Sequence, residues 1–487
     1  MTFFPLNDPA LLALSLALPA LATLAIAWLG RWPNLREAAT LVGAVLLFAV
    51  VMTLLAHVLQ GARPELRLVA VAPGLTLALK VDPLGMLFAA VASTLWIVNS
   101  LYSIGYMRGN DEPRQTVFYA CFAIAITATM GLAFAGNLFT LFVFYEILSL
   151  STYPLVTHKQ SPTAMRAGRV YLITLVGASM VLLLPAIVWT GLVAGTLDFR
   201  VGGILDGKLG AGALALLFAM FVFGAAKAAV MPLHRWLPAA MVAPTPVSAL
   251  LHAVAVVKAG VFTVLKITVS VFGIETLQTS GASEWLVYVA GFTIVAASVV
   301  ALRADDLKRR LAYSTIGQLS YIVLASALAS PVAVLGAALH IAAHAVSKIT
   351  LFFAAGSVYT AEQVTKVSQM DGIGRRMPWT MGAFAIGALS MIGLPPTAGF
   401  LGKWFILDAA AGATNWFAVG VIVVSTVLNA AYFLPILTRA FLRPAKGPRR
   451  EAPLPMVIAL SATAAGTVLL FLFPGVPYRL ASMIVGG

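Results

Sequence analysis

Residues 225–262 read AAKAAVMPLHRWLPAAMVAPTPVSALLHAVAVVKAGVF, and they set Lys227 and Lys258 inside runs of small apolar residues. Pro232 removes a backbone hydrogen bond and predicts a broken or kinked helix beside Lys227. Pro244, Thr245 and Pro246 form a helix start. Lys258 follows Pro246 by twelve residues, about 18 Å along a helix, which is mid-depth in a bilayer. His252 lies between that start and Lys258.

The rest of the chain makes the bilayer the right frame. It has 487 residues, 61% of them apolar and 10% charged, with a mean hydropathy of +0.97. A soluble protein of that size exposes more polar surface. Apolar runs long enough to cross a membrane recur at 9–30, 36–59, 83–107, 115–134, 137–157, 164–194, 209–231, 243–271, 283–302, 309–329, 331–357, 377–409, 415–440 and 452–474. The fold class predicted is an all-α polytopic membrane protein of about fourteen transmembrane helices. Spans 6 and 12 exceed what a straight crossing needs and should tilt, kink or break. Residues 66–80, LRLVAVAPGLTLALK, alternate around Pro73-Gly74 and predict a short β-hairpin outside the membrane. No basic residue precedes Arg31, so the first span reads as retained rather than as a cleaved signal.

The formal charge of +14 suits loops on one membrane face, and no basic groove with interleaved aromatics suggests nucleic acid. Loops after odd-numbered spans hold twenty Lys and Arg residues against seven on the other side. That asymmetry predicts a multi-pass cell-membrane protein with both termini extracytoplasmic. Cys121 is the sole cysteine, so neither an internal disulfide nor a thiolate cluster is possible.

Lys227, Lys258, Lys348 and Lys403 remain, and with Glu146 all fall inside spans. Each costs about 2.5–3.5 kcal/mol at mid-bilayer on insertion scales, and such groups usually mark ion or proton paths. Glu146 sits nine residues past Asn137, about 13 Å along its helix. Its plain alternative is a structural ion pair; for Lys227 it is snorkelling to the interface. His340, His344 and Lys348 recur every fourth residue and form one stripe. Two histidines so spaced can bind a metal, but no third ligand accompanies them, so no metal or other cofactor is expected and a hydrated proton relay is the reading preferred. In GLPPTAGFLGKWF, Pro395 and Pro396 predict a break ahead of Lys403. Spans 7 and 12 share an interruption beside a lysine, five spans apart, which suggests inverted internal repeats. Burial disfavours the charged form of a lysine and a carboxylate favours it, so a shifting carboxylate influence can load and unload protons along a lysine chain. Arginine, permanently charged, cannot serve that way.

The segments FYEILSLSTYPLV, AAKAAVMPLHRWLPAAMVAPTPVSALLHAVAVVKAGVF, HAVSKITLFFAAG and GLPPTAGFLGKWF together resemble the antiporter-like subunits shared by respiratory complex I, membrane-bound hydrogenases and Mrp-type cation/proton antiporters. Within that family the chain is most similar to the D-type Mrp subunit, since it stops soon after helix 14 and carries lysine at Lys403. The resemblance implies N-terminal helices 1–3 with the hairpin (1–107), inverted five-helix repeats at 115–271 and 283–440 with helices 7 and 12 broken, and a C-terminal helix within 441–487. It implies that Glu146 and Lys227 form a charge pair, that Lys258 is the central lysine with His252 near it, that His340, His344 and Lys348 continue a hydrated axis, and that Lys403 is the terminal proton-exchange residue. It further implies partner subunits, transport of H+ and, for the whole complex, Na+, and no enzymatic role of the chain's own. The alternative it leaves open is a proton-pumping subunit of a complex I-type or hydrogenase-linked redox complex. A membrane enzyme built on Glu146 and the histidines would need clustered carboxylates at a membrane face, and the sequence has none.

Overall fold

Helices α1 (Asp8–Trp28), α2 (Pro33–Leu59) and α3 (Pro83–Gly109) open the bundle, with a hairpin of β1 (Glu65–Ala72) and β2 (Leu75–Lys80) between the second and third. This computed structural model describes residues 7–72, 74–445 and 447–486. Pro73, the first residue of the predicted hairpin turn, and Lys446, one of the basic loop residues counted above, lie outside the described residues. The hairpin is antiparallel, pairing Glu65 with Lys80, and two irregularities in its register twist it. Asp82 ends it and caps α3, accepting the Gly85 amide at 2.8 Å.

Then follow α4 (Gln115–Ala133), α5 (Leu138–Val156), α6 (Pro162–Ala194), α7 (Ala211–Gly224) and α8 (Thr245–Phe272). Next come α9 (Glu284–Arg303), α10 (Leu307–Leu328), α11 (Pro331–Glu362), α12 (Pro378–Ile392), α13 (Ala398–Gly412), α14 (Trp416–Leu442), α15 (Leu454–Leu472) and α16 (Gly475–Val485). Twelve helices of the described residues are long and apolar enough to cross a membrane, and α7 and α12 are shorter apolar pieces. Those two pieces are the interrupted spans 7 and 12, so the fourteen predicted spans all have counterparts. Span 6 is irregular within its length, carrying a π-helical turn at Ser179–Leu183.

Four features depart from the sequence reading. Helix α7 stops at Gly224, well ahead of Pro232, so Lys227 lies in the interruption itself rather than one turn before it. The backbone leaves the helix at Ala225 and is left-handed at Ala229. Helix α8, read as continuous, carries a π-helical turn at Leu250–Val254 that holds His252. Lys266, counted above among residues of the hairpin-side loops, is an internal residue of α8 and ion-pairs with Asp82. Finally, α16 was not foreseen: it returns along the hairpin side, where the Arg479 guanidinium donates to the Leu59 carbonyl at 2.9 Å.

The buried core sits where α8, α10 and α11 pack together. All of the most apolar window of α8 is buried, as is 89% of those of α10 and α11, against 33% for α1 and α15. That contrast makes α8, α10 and α11 the interior and α1 and α15 the periphery, so charges on the first three face protein instead of lipid.

Candidate functional site: a buried line of lysines and histidines

The interruption after α7 frees backbone groups that a lipid-facing chain could not leave unpaired. Side chains take them up. The Trp236 indole donates to the Ala226 carbonyl at 3.0 Å, and the Lys227 amide donates to the Tyr145 hydroxyl at 3.2 Å. Helix α8 crosses this break closely enough that a Cβ on Gly260 would fall 2.1 Å from the Ala228 amide nitrogen. Only glycine permits that approach, which brings the helix of Lys258 against the backbone of Lys227.

Lys227 is fully buried. Its ammonium donates to the Tyr145 carbonyl at 2.9 Å and the Ser149 hydroxyl at 2.6 Å, and it lies 3.1 Å from the centroid of the Tyr145 ring. These contacts tie Lys227 to α5, the helix of Glu146. They do not include Glu146 itself: among the described residues the two make no ion pair, and the buried Oε1 of Glu146 has no hydrogen-bond partner in the protein. The reason is angular. Tyr145 and Ser149 are four residues apart and share a face of α5, whereas Glu146 is rotated off it and only partly buried. The charge pair implied by resemblance is therefore absent as a direct contact.

Lys258 and the stripe on α11 do meet. Lys258 Nζ lies 2.5 Å from His344 Nδ1, both fully buried. His252 Nδ1 lies 3.0 Å from the Thr315 hydroxyl on α10, and its ring sits 4.6 Å from Phe352. The His340 and His344 rings are 6.1 Å apart. His252 Nε2, His344 Nε2 and both nitrogens of His340 have no protein partner although buried. Buried polar atoms are satisfied in the great majority of cases, so these histidine nitrogens keep hydrogen-bonding capacity that no protein group takes up.

Beyond Lys348 the line continues through residues that the sequence reading did not single out. Lys348 donates to the Ser314 hydroxyl at 2.8 Å. The Tyr432 hydroxyl stands 3.0 Å from that oxygen and 2.5 Å from Asn429 Oδ1. The Asn429 amide donates to the Met391 carbonyl at 3.3 Å, and Lys403 donates to the same carbonyl at 2.7 Å and to Ile392 at 3.1 Å. These carbonyls are freed where α12 ends before Pro395 and Pro396, so the second interruption supplies the acceptors of Lys403, whereas those of Lys227 come from the intact helix α5. The signal in sequence was present but faint: Ser314, Asn429 and Tyr432 are polar residues within apolar runs, of a kind also found in ordinary helix packing.

Lys403 is held at this position by its neighbour. A Cβ on Gly402 would come within 2.7 Å of His340 Cβ and 2.8 Å of its Cα. Gly402→Ala should therefore push α13 away from α11, destabilising the protein by about 1–3 kcal/mol through overpacking. A lowered thermal midpoint in detergent, read by size exclusion after heating, checks this; an unchanged midpoint would show that the two helices are not pressed together there.

On the face opposite the hairpin, Glu112 is buried beside His158 and Lys159, at 3.8 and 3.7 Å. Burial, with the adjacent Arg114 charge adding to it, lowers the His158 pKa to about 4, so this histidine is neutral near pH 7.

Comparison with known proteins follows from these positions. The family described as NADH:quinone oxidoreductase/Mrp antiporter, TM, matches residues 135–429, which contain every lysine and histidine of the line. The NADH-quinone oxidoreductase subunit N of Desulforudis audaxviator is 34% identical over 418 residues, covering 81% of this chain and 82% of that protein. Hydrogenase-4 component B of Escherichia coli is 33% identical over 345 residues, which are 68% of this chain and 50% of that longer protein. A chain of the Mrp complex from Dietzia sp. has a TM-score of 0.87 at 22% identity, covering 98% of this chain and 97% of that one; at that identity the likeness is one of fold.

Proposed function

The chain belongs to the NADH:quinone oxidoreductase/Mrp antiporter transmembrane family, and from that membership we propose that it is the proton-translocating subunit of a multisubunit monovalent-cation (Na+)/proton antiporter of the Mrp type. The observation that carries translocation is the buried line from Lys258–His344, through Lys348, Ser314, Tyr432 and Asn429, to Lys403. Lysine and histidine each gain and lose a proton, and hydroxyls and amides between them both donate and accept. Glu146 and Lys227 form the first station, Lys258 with His252, His340 and His344 the centre, and Lys403 the outlet. Helices α4–α8 and α9–α14 act as two half-units of opposite sense, each interrupted at a lysine. The excess of basic residues on the face opposite the hairpin supports a cell-membrane location with that face cytoplasmic and both termini outside. Protons are assigned to this chain; the exchanged cation passes at the level of the complex, with partner subunits.

A second reading, a proton-pumping subunit of a redox complex, is favoured by the sequence likeness to an NADH-quinone oxidoreductase subunit. Inverted vesicles bearing the native complex separate the two. Under the antiporter reading, sodium addition to acid-loaded vesicles should raise the internal pH, and deletion of the gene should abolish the response. Vesicles without sodium-driven exchange whose NADH- or hydrogen-driven acidification is lost on deletion would establish the redox reading instead.

A further inference from the structure

Two cavities on the hairpin side adjoin one another and differ in chemistry. The first has a volume of about 510 Å³ and is lined by Arg63, Lys80, Arg200 and Lys266, with Asp82 the one acidic residue. Lys266 is 5% exposed at its side chain, where it pairs with Asp82 and lies 4.7 Å from the Phe199 ring. The second, of about 360 Å³, lies between α2, α3, α11, α15 and α16 and is apolar, with Leu87, Val91, Leu470, Phe473 and Leu480 in its wall. Leu84 and Ile484 line the first cavity and Leu87 and Leu480 the second, one helical turn away on α3 and α16 respectively. The order is fixed by α3, which leaves the hairpin at Pro83: the basic cavity is at its start and the apolar one deeper.

We propose that these cavities form one site for an anionic phospholipid, with its phosphate among Arg63, Lys80, Arg200 and Lys266 and one acyl chain in the crevice beneath α16. Four cations facing one carboxylate leave a net positive pocket at the depth where headgroups lie, and basic residues near a membrane surface attract anionic lipid. Along α3 the crevice runs from Leu87 to Val98, about 16 Å, against roughly 15 Å for half of a bilayer core. Charge above and an acyl-length apolar slot below match a phospholipid better than a soluble anion, which has no use for the slot. The site is separate from the proton line and does not depend on the nature of the driving ion.

Native mass spectrometry of the delipidated native complex tests this, titrating phosphatidylglycerol against phosphatidylcholine with identical chains, and inorganic phosphate alone. One phosphatidylglycerol should bind this chain in preference to phosphatidylcholine. Arg63→Ala with Arg200→Ala, both exposed positions, should weaken it by about tenfold or more. Val91→Phe, which fills the slot, should also weaken it. Equal retention of the two lipids would overturn the proposal, as would binding unchanged in these variants. Phosphate competing as well as lipid would reduce the site to a simple anion pocket and overturn it too. Binding to the isolated chain but not to the complex would make this face a subunit contact and would overturn the proposal as well. Should a variant fail to fold, the wild-type preference between the two lipids decides alone.

Discussion

Lys258→Arg and Lys258→Met should each yield an assembled subunit whose proton transport falls by roughly a hundredfold or more, the scale of losing a positioned proton-transfer group. The two replacements remove different things. Methionine keeps the length and deletes the charge. Arginine keeps the charge and deletes the ability to release a proton. Lys258 Nζ stands 2.5 Å from His344 Nδ1, so a proton leaving the lysine has an acceptor already in place. Arginine there could hold His344 by a hydrogen bond but could not hand on a proton. The readout is cation-driven or redox-driven pH change in inverted vesicles, whichever the complex supports, with assembly followed by native gel. Exchange retained in the arginine variant would show that Lys258 supplies field and not protons, and would move the centre of the line elsewhere. His344→Gln should impair transport less than either, because His340 and His252 flank the same region with unpartnered nitrogens.

How much of this was legible in the chain depends on what carried the information. The spans were legible because the bilayer forces a helix to be long and apolar, and Pro395 and Pro396 marked their break because proline ends a helix locally. Lys258, Lys348 and Lys403 were legible because a charge in an apolar run is costly wherever it points, and His344 because it recurs on one helical stripe with His340 and Lys348. Partnership was not legible. Tyr145 and Ser149 take Lys227 instead of Glu146 through the rotation of α5 against the break, a tertiary fact. Ser314, Tyr432 and Asn429 come from two helices, more than a hundred residues apart in sequence, and gain meaning only when brought to one point. Lys266 falls within the predicted span 243–271 and is counted with the hairpin-side loops only because it lies in the last turns of that span, where a long side chain can reach the interface; its partner Asp82 is a tertiary fact. The π-helical turn around His252 carries no proline or glycine to announce it.

Glu146→Gln and Lys227→Met should each reduce transport by roughly a hundredfold, and the double variant should be no worse than either. The geometry makes this a demanding expectation, since the two side chains do not touch. Lys227 is anchored on the Tyr145 carbonyl and the Ser149 hydroxyl, so Glu146→Gln leaves its hydrogen bonds intact. A contact-based account would therefore predict independent losses that multiply. Coupling through the field and through a shared proton predicts otherwise. A carboxylate on the helix that binds Lys227 acts on a fully buried ammonium across a medium of low polarity, where charges interact much more strongly than in water. Once either charge is gone, the other has no counterpart to switch against, and the second substitution removes nothing further. Initial rates of pH change in vesicles, normalised to subunit content, give the coupling directly. Losses that multiply, to about ten-thousandfold, would mean that Glu146 and Lys227 serve separate steps and that the first station is Lys227 with its α5 ligands alone.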